Sequence, residues 1–408
     1  MLERSKCMNV PEIRFKEFCD YYSDVLLEKC LSVSNKKNNK LEYKKEDALS
    51  VSDEFGVVNQ IEHLGRSYTG NNISTYKILN KGQIVYTKSP LKLKPFGIIK
   101  VNNNKPGIVS VLYAIYDVKE GFDPNYISVY FDPNFRLNRY LLPLINKGAK
   151  NTINISDETA LSGEVHIPLS YAEQQKIASY FQSLDSLIQT TSKELTSLKQ
   201  TKAASLQSMF PQEGETVPEV RFKGFEGEWG KEKLGNLFKE RIENNINGEL
   251  LSVTITNGII KASDNGRFDN SNNDKSHYKV VKIGDIVYNT MRMWQGASGY
   301  SAYEGIVSPA YTVIIPQEQV FPLFFAYLFK TQSLINRFRI HSQGLTTDTW
   351  NLKFAGFSII EVCFPKSKLE QQKIASYFCN LDKQISLQTQ HLEKLKQIKA
   401  ACLDKMFV

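Results

Sequence analysis

The nine residues EQQKIASYF stand at Glu173–Phe181 and again, letter for letter, at Glu370–Phe378, 197 positions apart. The likeness continues past them. Glu173–Phe210 and Glu370–Phe407 match at 22 of 38 positions, ending in KAASLQSMF and KAACLDKMF. A second pair opens each half: VPEIRFKEF at Val10–Phe18 and VPEVRFKGF at Val217–Phe225, identical at seven of nine positions. Between these ends the likeness is faint but ordered. KILNKGQIVYTK (Lys77–Lys88) parallels VVKIGDIVYNTM (Val280–Met291), and GIVSVLYAIY (Gly107–Tyr116) parallels GIVSPAYTVI (Gly305–Ile314). The chain is therefore a tandem duplication of a unit near 200 residues, with similar ends and diverged middles.

The repeated ends have helical spacing. Apolar residues fall at Ile177, Phe181, Leu184, Ile188, Leu195, Leu198 and Met209 in the first copy. The second copy gives Ile374, Phe378, Leu381, Ile385, Leu392, Leu395 and Met406. Steps of three and four make a heptad seam, and about 38 residues at 1.5 Å each would make a rod of roughly 55–60 Å. Pro168 and Pro365 precede the starts, and Pro211 follows the first rod. Polar residues interrupt both seams at the same places, Thr191 and Lys202 in one, Gln388 and Lys399 in the other. Such residues fix register, so the seams predict two rods packed antiparallel. A pairing in which residue numbers add up to about 583 sets Lys202 beside Asp382 and Lys399 beside Asp185. Two amphipathic helices lying on separate domains are the alternative. The middles, with runs such as DIVYNTM and AYTVIIP, read as mixed α/β, with a helix expected over Phe321–Ile340.

Chemistry is sparse. No GxxxxGK[ST] loop and no HExxH occurs, and the five histidines (His63, His166, His277, His341, His391) are too scattered to suggest a metal cluster. DPNY at Asp123–Tyr126 resembles the Asp-Pro-Pro-Tyr tetrapeptide of adenine-N6 methyltransferases. Its third residue departs from that motif, no glycine-rich S-adenosylmethionine loop precedes it, and Asp-Pro-Asn opens turns. We read it as a turn and the chain as non-catalytic. The composition, 41% hydrophobic and 23% charged, is that of a soluble globular protein. The apolar stretch Phe321–Phe329 is too short to cross a bilayer. The N-terminus lacks a signal-peptide core, and six cysteines show no CxxC pair, so a reducing cytoplasm is expected. The net charge of +8 suggests an anionic partner without naming it.

Two diverged domains, each opened by VPExRFKxF and closed by EQQKIASYF with a long heptad helix, resemble the specificity subunit of type I restriction–modification systems. GDIVYNTMRMWQGASGYS…GIVSPAY at Gly284–Tyr311 also resembles that family's target-recognition domain. The resemblance implies an α+β chain with an internal pseudo-two-fold repeat. It would have a target-recognition domain over 1–168, a helical spacer over 169–216, a second recognition domain over 217–365 and a second spacer over 366–408. Each recognition domain would read one half of a bipartite double-stranded DNA target, and the paired helices would set the gap. The seam residues Ile177 to Leu198 and Ile374 to Leu395 would serve the coiled coil and the docking of two copies of a methylation subunit, with restriction subunits as further partners. S-adenosylmethionine, ATP and Mg would sit on those partners. A coiled-coil scaffold without a DNA role and a self-contained adenine methyltransferase are the competing readings.

Candidate reading residues in the second half are Arg292, Trp294, Gln295 and Ser298, because Arg and Gln suit guanine and adenine edges. The donor-rich stretch His341–Lys353 adds His341, Gln343, Thr346, Thr347 and Lys353. In the first half Lys88, Ser89, Lys92 and Lys94 match the first loop, and Lys147, Lys150 and Asn151 match the second. These lysines are expected to meet phosphates.

Overall fold

A computed structural model describes residues 10–91, 94–147, 153–265, 274–347 and 349–408. The chain forms two compact units, one of Met1–Thr191 with His391–Val408, the other of Ser192–Gln390. The boundary falls inside both long helices, Tyr171–Ser208 and Lys368–Lys405, each 38 residues.

The duplication is visible strand by strand. In the first unit an antiparallel sheet runs in the order Leu31–Val33, Ala114–Val118, Ile84–Tyr86, Ile99–Val101. The second repeats it as Phe238–Glu240, Tyr311–Pro316, Ile286–Asn289, Ser298–Tyr300. A hairpin (Leu49–Ser52 with Gly56–Asn59) recurs as Leu251–Thr254 with Gly258–Lys261. The pair Lys77–Leu79 and Gly107–Val109 recurs as Lys279–Val281 and Gly305–Val307. The shared GIVS has a steric cause: a Cβ on Gly107 would lie 2.2 Å from the Asp47 carbonyl, and one on Gly305 2.2 Å from that of Glu249. Two helices follow in each unit, Pro124–Tyr130 and Asn134–Leu141 in one, Pro322–Leu328 and Gln332–Ile340 in the other. The single helix expected over Phe321–Ile340 is thus two, broken at Phe329–Thr331.

The repeated ends build the core of each unit. Phe181, from the start of the first long helix, meets Phe407, from the tail after the second, at 6.0 Å between ring centroids. In the other unit Phe378 and Phe210 do the same at 5.8 Å. The opening and closing motifs also meet. Arg14 forks onto Glu173 at 2.7 and 2.8 Å, and Arg221 onto Glu370 at 2.7 and 2.9 Å, with both carboxylates 1% exposed. The next residue is equally fixed. Buried Gln174 accepts from the Asp123 N–H and donates to the Pro168 carbonyl, while Gln371 accepts from Phe321 N–H and donates to the Pro365 carbonyl. Ser170 and Ser367 hydroxyls accept from the Glu173 and Glu370 N–H groups, capping the helices.

The helices pack antiparallel within each unit, in the register the polar seam residues require. Lys399 reaches Asp185 at 2.8 Å and also Asp132 at 3.2 Å in the first unit. In the second, Lys202 pairs with Asp382, the Ser205 hydroxyl lies 2.9 Å from that of Tyr377, and Gln388 donates to Glu194. Ile177, Phe181, Leu184, Leu195, Ile374, Phe378, Leu381, Leu392 and Leu395 are buried, and Ile188, Leu198 and Ile385 half-buried. These side chains are spent on the chain's own interior, so the expectation that they form a docking surface is corrected. They belong to seam and core.

Each unit should be sensitive to the loss of one latch partner. Replacing Glu173 or Glu370 by Ala leaves a half-buried guanidinium without its carboxylate, at a cost of about 3 kcal/mol, the lower end for a buried pair. Denaturant midpoints should show that loss, whereas a change at exposed Gln175 or Gln372 should shift stability by under about 0.5 kcal/mol.

Candidate nucleic-acid interface

In the second unit the strand Ile286–Asn289 runs into a single 3-10 turn, Met293–Gln295, whose buried Met293 pins it to the core. Gly296, at φ +83°, then reverses the chain into Ser298–Tyr300. Arg292 is exposed, and its Nη1 donates to the Gln295 Oε1 at 3.2 Å. Trp294 is half-buried and its indole N–H donates to the Met291 carbonyl at 3.0 Å.

The second candidate stretch comes to the same place. Gln343 and Asn351 exchange both backbone hydrogen bonds, at 3.0 and 2.8 Å, closing a loop between them. Leu352 N–H donates to the Thr290 carbonyl at 2.9 Å, and Trp350 meets Trp294 edge-to-face at 5.2 Å. Two segments about fifty positions apart thus form one surface. On it Gln343, Thr346, Thr347 and Lys353 are exposed, and His341 is half-buried with Nδ1 2.8 Å from the Arg337 carbonyl. Ser298 is a correction. Its side chain has no exposed surface, on a strand where the next residue, Gly299, is buried as well, and it cannot touch a base edge. Trp350 and the hairpin Leu251–Lys261 were missed. The hairpin's alternating LSVTITNGIIK, with Asn-Gly at its tip, carried the signal.

The first unit corrects the lysine expectation. Lys88 lies 2.5 Å from Asp157, which also binds Lys77 at 2.8 Å. Lys94 is 2.8 Å from Asp53 and donates to the Asp132 carbonyl at 2.7 Å. Both ammoniums are satisfied inside the unit, so neither is a free phosphate ligand. Ser89 is half-buried, its hydroxyl on the Thr87 carbonyl. Lys147 lies in a short strand, Asn146–Lys147, paired with Ile153–Asn154. Lys92, Lys150 and Asn151 lie outside the described residues.

The DPNY stretch is a helix start. Asp123 caps Pro124–Tyr130 by accepting from the Tyr126 N–H at 2.9 Å, and Tyr126 is wholly buried. Among the described residues no three His, Cys, Asp or Glu side chains are grouped to hold a metal, and no helix is long and apolar enough to cross a membrane.

Residues 226–397 match the family model of the type I restriction modification DNA specificity domain. The second half of the chain is thus similar to such a specificity domain. The match takes in both loops of the surface just described, and the strand-by-strand repeat gives the first unit the same architecture. The whole chain has the fold of a type I restriction-modification S subunit. It resembles the solved S subunit from M. genitalium at a TM-score of 0.59 and 12% identity, over 98% of this chain and 99% of that one. The HsdS subunit from Thermoanaerobacter tengcongensis aligns at 0.44 and 14%, over 95% and 96%. A search of curated proteins found no match.

Electrostatics ties the first unit together at Asp132. Burial pushes its carboxyl up, but Lys100 at 2.5 Å, Lys399 and Lys94 outweigh that and hold it at about 2. A carboxyl held below its unfolded value stabilises the fold above about pH 4, and that stability is lost as pH falls toward 2. Denaturant midpoints taken from pH 5 to pH 2.5 should fall by about 2 kcal/mol on this account. Asp132→Asn should be less stable at neutral pH and show a flatter acid limb.

Proposed function

We propose that this chain is the sequence-specific DNA-binding subunit of a type I restriction–modification complex, each half reading one part of a bipartite duplex target. The observation that carries the reading is the joint surface of exposed Arg292, Gln343, Thr346, Thr347 and Lys353 with half-buried Gln295, donors within the segment that matches the specificity domain. Arg and Gln, held side by side on a turn anchored by Met293, are the side chains able to bond a guanine or an adenine edge from the major groove. Scaffold and methyltransferase readings have no comparable feature. The tetrapeptide that suggested methyl transfer begins a buried helix.

Two copies of a methylation subunit are the expected partners, with restriction subunits joining through them, and S-adenosylmethionine, ATP and Mg carried by those partners. The chain itself would be non-catalytic and would work in the cytoplasm. With the seam buried, docking falls to what is both repeated and exposed: Gln175, Lys176 and Ser179 in one helix, Gln372, Lys373 and Ser376 in the other. Lys176 and Lys373 even keep the same neighbour, lying 5.2 Å from the rings of Phe15 and Phe222. Identical strips suit two copies of one partner, while the antiparallel helices would act as the ruler between half-sites.

Exchange of residues 217–365 for the corresponding piece of a relative, followed by methylome sequencing with the methylation partner expressed, should change one half of the methylated motif and leave the other. Changes in both halves would reject independent reading. Within the retained half, Arg292→Ala or Gln295→Ala should cost about 1–3 kcal/mol on the cognate duplex and relax one position. Equal losses on cognate and scrambled duplex would make the residue a backbone contact.

A further inference from the structure

Three elements converge behind the reading surface in each unit: the loop that leaves the second sheet strand in sequence order of its four-stranded sheet's centre (Ile84–Tyr86 or Ile286–Asn289), the tip of the hairpin, and the end of the first short helix. One lysine ammonium bridges all three. In the first unit it is Lys94, on the loop. Its Nζ meets the hairpin-tip carboxylate of Asp53 at 2.8 Å and the helix-end carbonyl of Asp132 at 2.7 Å. In the second unit it is Lys330, at the helix end. Its Nζ donates to the loop carbonyls of Gly296 and Ser298 at 2.5 and 2.8 Å, and to the hairpin-tip carbonyl of Ile255 at 3.2 Å.

The positions correspond. Counting from the matched hairpins (Leu49 with Leu251), Asp53 falls on Ile255. Counting from the matched helices (Pro124 with Pro322), Asp132 falls on Lys330. The loops differ in length, and their closing turns set the match: Gly97 N–H bonds the Lys94 carbonyl as Gly296 N–H bonds the Met293 carbonyl, so Lys94 falls on Met293. The junction is the same, and the cation has moved from the loop to the helix end. The acids followed it: where the loop supplies the cation, hairpin and helix end are aspartates, and where the helix end supplies it, the hairpin tip is Ile255 and the loop position is Met293. A conserved salt bridge would have kept its side chains. What is kept is an ammonium at the meeting of three segments, to which the first unit adds Lys100, on the returning strand, 2.5 Å from Asp132 and 3.9 Å from Asp53.

We infer that Lys94 and Lys330 are positioning residues, each stapling its unit's recognition loop to the hairpin and helix behind it and so setting which bases the loop can reach. This rests on the DNA-reading function proposed above. A loop that carries the reading side chains is useful only if its backbone is held to within a fraction of an ångström, and carbonyl oxygens bound by a charged donor supply that hold. Lys330 has a further signature. Burial, and then Lys202 on the long helix, push its pKa down to about 8, opposed by Asp382, whose carboxylate is already engaged by Lys202 and by the Tyr327 hydroxyl at 2.8 Å. Above that pH the amine has two N–H groups for three carbonyls.

The test uses the full chain with its methylation subunits. Binding is measured on the cognate duplex, on duplexes with either half-site scrambled, and on a fully scrambled duplex across a salt series. Backbone amide exchange is followed in parallel. Lys330→Met should weaken the cognate duplex by about tenfold, abolish discrimination at the second unit's half-site only, and leave scrambled-duplex binding and the salt slope unchanged. Amides of 290–298 and 251–261 should exchange faster. Lys94→Met should do the same to the other half-site. In the wild type, discrimination by the second unit should decline between pH 7 and pH 9, and Lys330→Met should lack that decline. Equal losses on all duplexes with a shallower salt slope would make the lysine a phosphate ligand and overturn the staple, as would unchanged exchange and unchanged discrimination. Should Lys330→Met not fold, Lys330→Gln, which keeps a shorter donor, should show a partial loss of discrimination with the same exchange pattern. A wild type with no duplex preference would sink the DNA reading alone, since the exchange data still decide the staple.

Discussion

A guanidinium forked onto a carboxylate that has almost no contact with water holds the two ends of each repeat together. Arg14 on Glu173 and Arg221 on Glu370 join the segment that opens a unit to the helix that closes it. A buried pair of this kind adds little net stability over apolar packing, yet it tolerates no substitution at one end alone, because the charge left behind is stranded. The pair therefore specifies more than it stabilises. It fixes where the helix begins against the domain, and Gln174 or Gln371, one residue on, ties the same turn to the helix Pro124–Tyr130 or to the segment entering Pro322–Leu328. Everything the domain presents outward is built from that anchored corner.

This accounts for what is repeated. Of the nine identical letters, Glu, Gln, Ile, Ala and Phe point inward in both copies, while the third, fourth and seventh are exposed. Most of the identity is thus internal, the same latch and the same aromatic stack of Phe181 on Phe407 and Phe378 on Phe210. Each core is completed by the start of one long helix and the tail of the other, so neither helix can diverge at its ends without disturbing both units. The exposed remainder, Gln-Lys-Ser, has no such internal reason to be kept.

The scaffold was legible because its constraints are periodic. Heptad spacing located both long helices, and the polar interruptions at Lys202 and Lys399 fixed their register closely enough to name Asp382 and Asp185 as partners. The candidate surface was legible only in pieces. Arg292 and Gln295 were recognisable by side-chain type, but nothing in the spacing shows that Trp350 folds back onto Trp294. Lys88 and Lys94 illustrate the deeper difficulty: a lysine on a loop looks the same whether water or Asp157 surrounds it. Ser298 failed for a simpler reason: its strand is covered on both faces, with Gly299 packed against Gly258 of the hairpin, and spacing along one strand cannot show such a cover.

The three-way junction in each unit shows how the diverged middles can vary without losing their fold. A carbonyl is present at every residue whatever its side chain, so a staple that bonds carbonyls constrains sequence less than one that needs a particular acid. Lys330 satisfies three carbonyls and leaves the loop free to be Gly296 and the hairpin tip free to be Ile255. Lys94 takes the alternative, one carbonyl and one carboxylate, and with it the first unit acquires the Asp132 cluster, where Lys100 and Lys399 crowd the same acid. The two solutions place the positive charge at the same junction from opposite sides. Loops of different length and composition can then be mounted on one backbone plan, because the element that must be preserved is a donor at a point in space and not a residue at a position in the sequence.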